Sequence, residues 1–258
     1  MSILKLGTVT YNLAKDWDID TIISNCTETG FEGVELRTTH AHGVEVEFSA
    51  SQREDVKKRF DDSAVEIVGL GSAFEYHSTD QDELRRNIEG TKAYAELARH
   101  VGAPGIKVRP NGLQTEAGIP IEQTLEQIGT ALAECSSYAA DLGVQVRLEV
   151  HGRETCRVPY IAKIFEFANH PNLFACWNSN QADLEDGGLE QNFNTLSGRI
   201  GLVHMRDIYL TEYPWKRMLR MLVDSGYRGY CCAEIPETSD PIRVMHYYRA
   251  LFDAYLDR

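Results

Sequence analysis

Glu149 and His151 stand two apart at the end of one apolar run, and His204 and Arg206 stand two apart at the end of another. In an extended strand, residues i and i+2 point to the same face, so each pair presents two polar side chains to one side. A further run ends in Lys107 and Arg109, and two more close on Asn178 and Glu234. Brought together, these ends set two carboxylates and two imidazoles around one cavity. Such a mixture of oxygen and nitrogen donors suits a divalent cation such as Mn2+, Mg2+, Co2+ or Zn2+ and disfavours a metal selected by soft thiolates. Taken singly, each is an ordinary polar strand end, structural or solvated. Their repetition argues for a shared site, because successive strands that close on Glu, Asn, His and Glu would bury charge at a cost unless it is paired, hydrogen-bonded or metal-bound.

The elements that must position these residues follow from the alternation of short β-branched runs with longer helical patterns. That order predicts parallel strands joined by crossover helices. Candidate strands are Leu4 to Thr10, Gly33 to Arg37, Val65 to Gly71, Gly105 to Arg109, Val144 to Val150, Leu173 to Asn178, Ile200 to Met205 and Gly229 to Ile235, each followed by a helical pattern. Eight such units predict an α/β fold, a (β/α)8 TIM barrel, whose active sites are built at the C-terminal strand ends. Thr79 or Asp80, supported by Glu83, is a helix start; Gly30, Gly102, Gly143 and Gly226 are stops; Pro120 suits the first turn of the helix that runs to Leu142. The rival doubly wound sheet usually carries a Gly-rich turn after its first strand, where this chain reads Thr8-Val9-Thr10-Tyr11-Asn12. No G-x-G-x-x-G and no P-loop occurs along the chain.

The chain has 258 residues, 43% of them hydrophobic and 25% charged. That length matches the roughly 250 residues of an α/β barrel, so one domain over residues 1–258 is expected. A formal net charge of −13 opposes binding to a phosphate backbone, and no nucleic-acid partner is expected. No apolar run approaches the ~20 residues that span a bilayer, and Met1 to Gly7 lacks a secretory apolar stretch, so a cytoplasmic protein without a membrane partner is expected. The six cysteines, Cys26, Cys135, Cys156, Cys176, Cys231 and Cys232, show no metal-finger spacing and read as structural thiols.

Four segments carry a family likeness: Gly30-Phe31-Glu32-Gly33-Val34-Glu35-Leu36-Arg37, Arg147-Leu148-Glu149-Val150-His151, Cys176-Trp177-Asn178-Ser179-Asn180 and His204-Met205-Arg206-Asp207. On these the chain resembles the xylose isomerase-like barrel family of sugar isomerases and epimerases, whose relatives include ketose 3-epimerases, hydroxypyruvate isomerases, inosose dehydratases and apurinic-site endonucleases. The resemblance runs from the first strand to Glu234. In the epimerase branch a metal is held by Glu, Asp, His and Glu of strands five to eight, which implies the ligands Glu149, Asn178, His204 and Glu234 here, with Mn2+ the first expectation. The chain departs from that branch at Asn178, where an aspartate is usual, and at Gln181, where a His is usual. An amide oxygen can ligate a hard cation, with one negative charge fewer.

The resemblance implies a small carbohydrate substrate. It also implies a reaction in which a metal stabilises the enediolate formed as a C–H beside a carbonyl loses its proton, with Glu149 and Glu234 as base and acid. His42, Lys107, Arg109, His151 and Arg206 are the expected substrate contacts, the three cations being equally suited to salt bridges with barrel carboxylates. His40 and His77 lie on loops at the same end, and Trp177 and Trp215 offer apolar faces, Trp177 reading better as core. Two alternatives stand beside the isomerase or epimerase: a lyase that cleaves a 3-keto-glycoside by β-elimination, and a non-catalytic sugar-binding or scaffolding barrel. A homo-oligomer, or assembly with another subunit, fits either kind of barrel. A nuclease ranks below these because of the acidity.

Overall fold

The structure, a computed structural model, describes residues 4–258. The elements run β1 (Lys5–Val9), α1 (Ile19–Thr29), β2 (Gly33–Arg37), α2 (Ala50–Asp61), β3 (Glu66–Glu75), α3 (Gln81–Val101), β4 (Gly105–Arg109), α4 (Ile121–Asp141), β5 (Gln145–Glu149), α5 (Val158–Ala168), β6 (Leu173–Trp177), α6 (Leu189–Leu196), β7 (Ile200–Met205), α7 (Trp215–Asp224), β8 (Tyr230–Ala233) and α8 (Pro241–Tyr255). All neighbouring strands are parallel, and β1 pairs with both β2 and β8, which closes the barrel. The expected (β/α)8 barrel is the observed fold.

Local chemistry sets the element ends. The Asp18 carboxylate accepts the Thr21 N–H at the start of α1, and Asp80, rather than Thr79, accepts those of Asp82 and Glu83 at the start of α3. Both cover amide donors that a helix leaves unpaired in its first turn. The stops Gly30, Gly102, Gly143 and Gly226 all have positive φ, the left-handed geometry that lets the chain leave a helix sharply. Pro120 stands one residue before α4 rather than inside its first turn. Strand three extends four residues past the expected end at Gly71. Its register slips between Gly71 and Glu75, and the Ser72 hydroxyl donates to Lys107 O at 2.7 Å across the irregular stretch.

Alternation along the strands separates two apolar regions. Outward residues such as Val34, Ile106, Leu148, Ala175 and Val203 join the helices in the main core, while Val9, Val68, Cys176, Leu202, Tyr230 and Cys232 form a second cluster inside the barrel. Arg147, 5% exposed, lies with the inner set and donates from Nη1 to Val68 O at 2.7 Å and from Nε to Gln145 Oε1 at 3.0 Å. Gly105 must stay bare beside it, since a Cβ there would lie 2.6 Å from Arg147 Nε. This filling packs the inside of the barrel below the C-terminal strand ends. The cysteines are all free, and Cys26, Cys135, Cys176, Cys231 and Cys232 are buried. Among the described residues no helix is long and apolar enough to cross a membrane.

Candidate active site

At the mouth of the barrel, Glu149, His204 and Glu234 bring one donor atom each to within 4.8 Å of one another. Glu149 ends β5, His204 is the penultimate residue of β7, and Glu234 follows β8 with its N–H bonded to Met205 O at 2.8 Å. His204 Nδ1 faces both carboxylates, 3.6 Å from Glu149 Oε1 and 3.8 Å from Glu234 Oε2. Glu149 and His204 are 2% and 1% exposed. The second oxygen of Glu149, Oε2, accepts from Lys107 Nζ at 2.7 Å, an ion pair sealed from solvent.

These groups set one another's protonation. Burial opposes ionisation of Glu149, but Lys107 and His204 outweigh it and hold this carboxyl below its ordinary range. Burial raises Glu234, and the neighbouring Glu149 charge raises it further, against His204 and Lys107. Two carboxyl groups at one centre are therefore driven apart, the arrangement that separates a base from an acid. Burial likewise opposes the charged forms of Lys107 and His204, yet both lie above their ordinary ranges. Glu149 and Glu35 favour the ammonium, and Cys176, Glu35 and Glu149 favour the imidazolium.

Two buried polar atoms lack partners, one at this centre and one just past the end of β6. Asn178 is 6% exposed and its Oδ1 has no hydrogen-bond partner, and His204 Nδ1 has none either. A buried acceptor without a partner costs free energy unless something supplies the missing contact. Oxygen from Glu149 and Glu234 with nitrogen from His204 is a donor set that fits a divalent cation of the Mn2+, Mg2+, Co2+ or Zn2+ kind.

The remaining expected contacts divide into three groups. His42 is corrected from substrate contact to loop support: it is 6% exposed, its Nε2 donates to Arg37 O at 2.8 Å, and its Nδ1 accepts from Val44 N at 3.1 Å, which leaves no ring nitrogen for a ligand. Lys107 and Arg109 are salt-bridge partners, Lys107 to Glu149 and Arg109 Nη2 to Glu75 Oε1 at 2.7 Å. His151 and Arg206 stay open. His151 engages Asn111 Oδ1 through Nδ1 at 2.7 Å and has no protein partner for Nε2 among the described residues. Arg206 is exposed, touches Asn180 Oδ1 at 3.3 Å and forms no ion pair among the described residues. Trp177 and Trp215 are core, their indole N–H groups donating to Tyr213 Oη and to Leu210 O, both at 3.0 Å. His40 bonds Thr10 Oγ1 at 2.8 Å, and His77 lies 3.7 Å from Glu75.

Sequence reasoning gives no role to Glu35, which it meets only within a family segment, or to Glu75, which it places in a loop. Glu35 is fully buried at the centre of β2, with Oε2 3.3 Å from His204 Nε2. Its signal was present, a charge in the middle of a short apolar strand on the same face as Gly33 and Arg37. Glu75 was hidden by the slipped register, which places it beside Arg109 and Asn111. An apolar hollow of about 310 Å³, lined in part by Ile208, Tyr209, Ile235 and Tyr247, lies elsewhere and shares no residue with the cluster.

A family model described as "Xylose isomerase-like TIM barrel" matches residues 23–250. Fructoselysine 3-epimerase of Escherichia coli O157:H7 is 19% identical over 238 residues, covering 84% of this chain and 85% of that protein. Among solved structures, the apo form of 3-keto-D-glucoside 4-epimerase from E. coli is similar with a TM-score of 0.80 at 17% identity, over 97% of this chain and 99% of the other. The IolI protein with a bound zinc atom is similar with a TM-score of 0.78 at 15% identity, over 98% of each chain. At these identities the likeness is one of fold.

Proposed function

The chain belongs to the xylose isomerase-like TIM barrel family, and from that membership we propose that it is a sugar isomerase or epimerase that moves a proton on a carbon next to a carbonyl, with a divalent metal as cofactor. The observation that carries this reading is the convergence of Glu149, His204 and Glu234 on one centre at the C-terminal mouth of the barrel. Glu149, Asn178, His204 and Glu234 would hold the cation, Mn2+ being the first choice and Mg2+, Co2+ or Zn2+ the others. Such a cation supplies Lewis-acid polarisation of a carbonyl oxygen when bound.

The chain's own residues do the rest. Glu149, kept ionised by Lys107, is the group suited to take the proton from carbon, and Glu234, held toward its protonated form, is the group suited to return one. They rise from β5 and β8, so they approach the shared centre from different walls, as inversion at carbon requires. His151 Nε2 and the Arg206 guanidinium are the open polar groups for hydroxyl or carbonyl oxygens of a small carbohydrate. The acyclic form of a sugar carries the carbonyl and acidic C–H that this chemistry needs. The names of the similar proteins, fructoselysine 3-epimerase and 3-keto-D-glucoside 4-epimerase, support a sugar epimerase as the class.

A second reading has the same first step. If the enolate formed beside a 3-keto group expels the substituent at C1, the enzyme is a lyase acting on 3-keto-glycosides. It is favoured by Asn178, which leaves the centre one negative charge short of the epimerase branch.

Incubation of metal-loaded protein with ketoses and 3-keto-glycosides in deuterated water separates the readings. Metal-dependent deuterium uptake into an isomerised sugar is expected, and aglycone release with an unsaturated sugar would move the assignment to the lyase. Absence of exchange and of metal binding would leave a sugar-binding barrel. Glu234→Gln is expected to lower kcat by about 10²–10⁴-fold with an unchanged circular dichroism spectrum; full activity would remove Glu234 as acid or base.

A further inference from the structure

We infer that Glu35 is a positioning residue for His204, the carboxylate that receives the imidazole Nε2–H and thereby turns Nδ1, the nitrogen left to meet a ligand, toward Glu149 and Glu234. The inference rests on the reading of Glu149, His204 and Glu234 as the reactive centre. It starts from the placement of Glu35, which is completely buried inside the barrel wall although no ligand role falls to it. Burial of a charge demands a partner, and the hydrogen bond its carboxylate makes among the described residues is the one from His204 Nε2 to Oε2 at 3.3 Å.

The fold makes room for this contact. Strand β3 carries glycine at positions 69 and 71, and Gly69 pairs in register with Glu35. A Cβ on Gly71 would lie 2.6 Å from Glu35 Oε1, and one on Gly69 would lie 3.7 Å from Oε2. An alanine at 71 would thus push the carboxylate off the line to His204. On the far side of the ring, Nδ1 has no hydrogen-bond partner and faces Glu149 and Glu234 at 3.6 and 3.8 Å. A carboxylate only accepts, so its contact fixes a proton on Nε2. The opposite nitrogen is then the one that can ligate, and outer carboxylates of this kind orient a metal-binding imidazole and raise its basicity.

The test compares wild type with Glu35→Gln and Glu35→Asp, using Co2+ alone as the probe. Glu35→Gln is expected to weaken Co2+ binding by about 10–100-fold and to alter the visible absorption of the bound ion, with Glu35→Asp recovering part of both. A folded Glu35→Gln protein with wild-type affinity and spectrum would overturn the inference. The second measurement uses wild-type metal-free protein labelled with 15N-histidine. A slowly exchanging, downfield Nε2–H resonance that is absent from His204→Asn is expected; its absence from wild type, or a proton found on Nδ1 alone, would overturn the inference even if Glu35→Gln fails to fold. If wild type binds no Co2+, the metal-dependent reading fails, while the Nε2–H resonance still decides the role of Glu35.

Discussion

Lys107 and Glu149 are each less than 5% exposed and are joined at 2.7 Å, so neither charge has water to fall back on. An ion pair in such a place contributes little net stability against an apolar pair of the same shape, but breaking it from one side leaves a stranded charge. Lys107→Met is therefore expected to lower the stability of the metal-free protein by about 3–5 kcal/mol, and to lower turnover because Glu149 then takes up a proton. Chemical denaturation checks the first effect. Adding Glu149→Gln to Lys107→Met should restore much of the loss, and if it does not, the pair is not the source. Glu149, His204 and Glu234 were readable from spacing because strand parity and barrel polarity are both written in the chain. The fate of each cation was not. Whether Lys107 faces a carboxylate or a ligand depends on what the adjacent strand places within its reach, and no local pattern encodes that. His42 was misread for the same reason, since its partners are the backbone at Arg37 and Val44, created by the loop's own path.

Elements at the mouth are tied by a buried relay that begins on β6. Trp177 Nε1 donates to Tyr213 Oη at 3.0 Å, and Tyr213 donates to Asp183 Oδ2 at 2.9 Å, the same oxygen that accepts from Asn180 N at 2.9 Å. The relay joins β6, the turn that follows it and the segment leading into α7. Burial pushes the Asp183 carboxyl up to about 7, although Tyr213 and the Asn180 N–H both favour its ionised form. The folded state therefore holds this proton across a pH range in which the unfolded chain has released it. Its stabilising share is complete below pH ~4 and is lost as pH rises through about 7, a change on the order of 4 kcal/mol. Asp183→Asn resembles the protonated form and does not titrate. Its advantage over wild type in thermal unfolding should be near zero at pH 4 and largest at pH 8, and a difference independent of pH would sink the idea. Strand positions themselves were legible to within a residue or two at seven of the eight strands, because period and punctuation agree there. The exception, β3, runs on to Glu75 through a slipped register that Gly69, Gly71 and Ser72 permit but do not announce.

At the scale of the whole molecule, a net charge of −13 and a candidate cation centre make opposite demands. Self-repulsion among surface carboxylates weakens any compact acidic chain, and divalent salts relieve it without occupying a site. A cation bound only by the folded state adds a separate term, RT ln(1 + [L]/Kd), about 2.7 kcal/mol at a hundredfold excess over Kd. For a chain of this length each kcal/mol moves Tm by about 2–4 °C, so saturation with Mn2+ should raise Tm by roughly 5–10 °C. The bare rise does not separate the two terms. His204→Asn does, because it removes a donor at the centre and leaves the surface charge untouched. Wild type should therefore exceed His204→Asn in its response to Mn2+ and match it in its response to NaCl. Asn178→Asp sharpens the contrast. A third carboxylate beside Glu149 and Glu234 should destabilise the metal-free protein by like-charge repulsion while strengthening the grip on a hard cation, so its Tm should start lower and climb further. Equal Mn2+ responses in all three proteins would mean that the stabilisation comes from screening of the acidic surface, and that Glu149, Asn178, His204 and Glu234 do not share a metal.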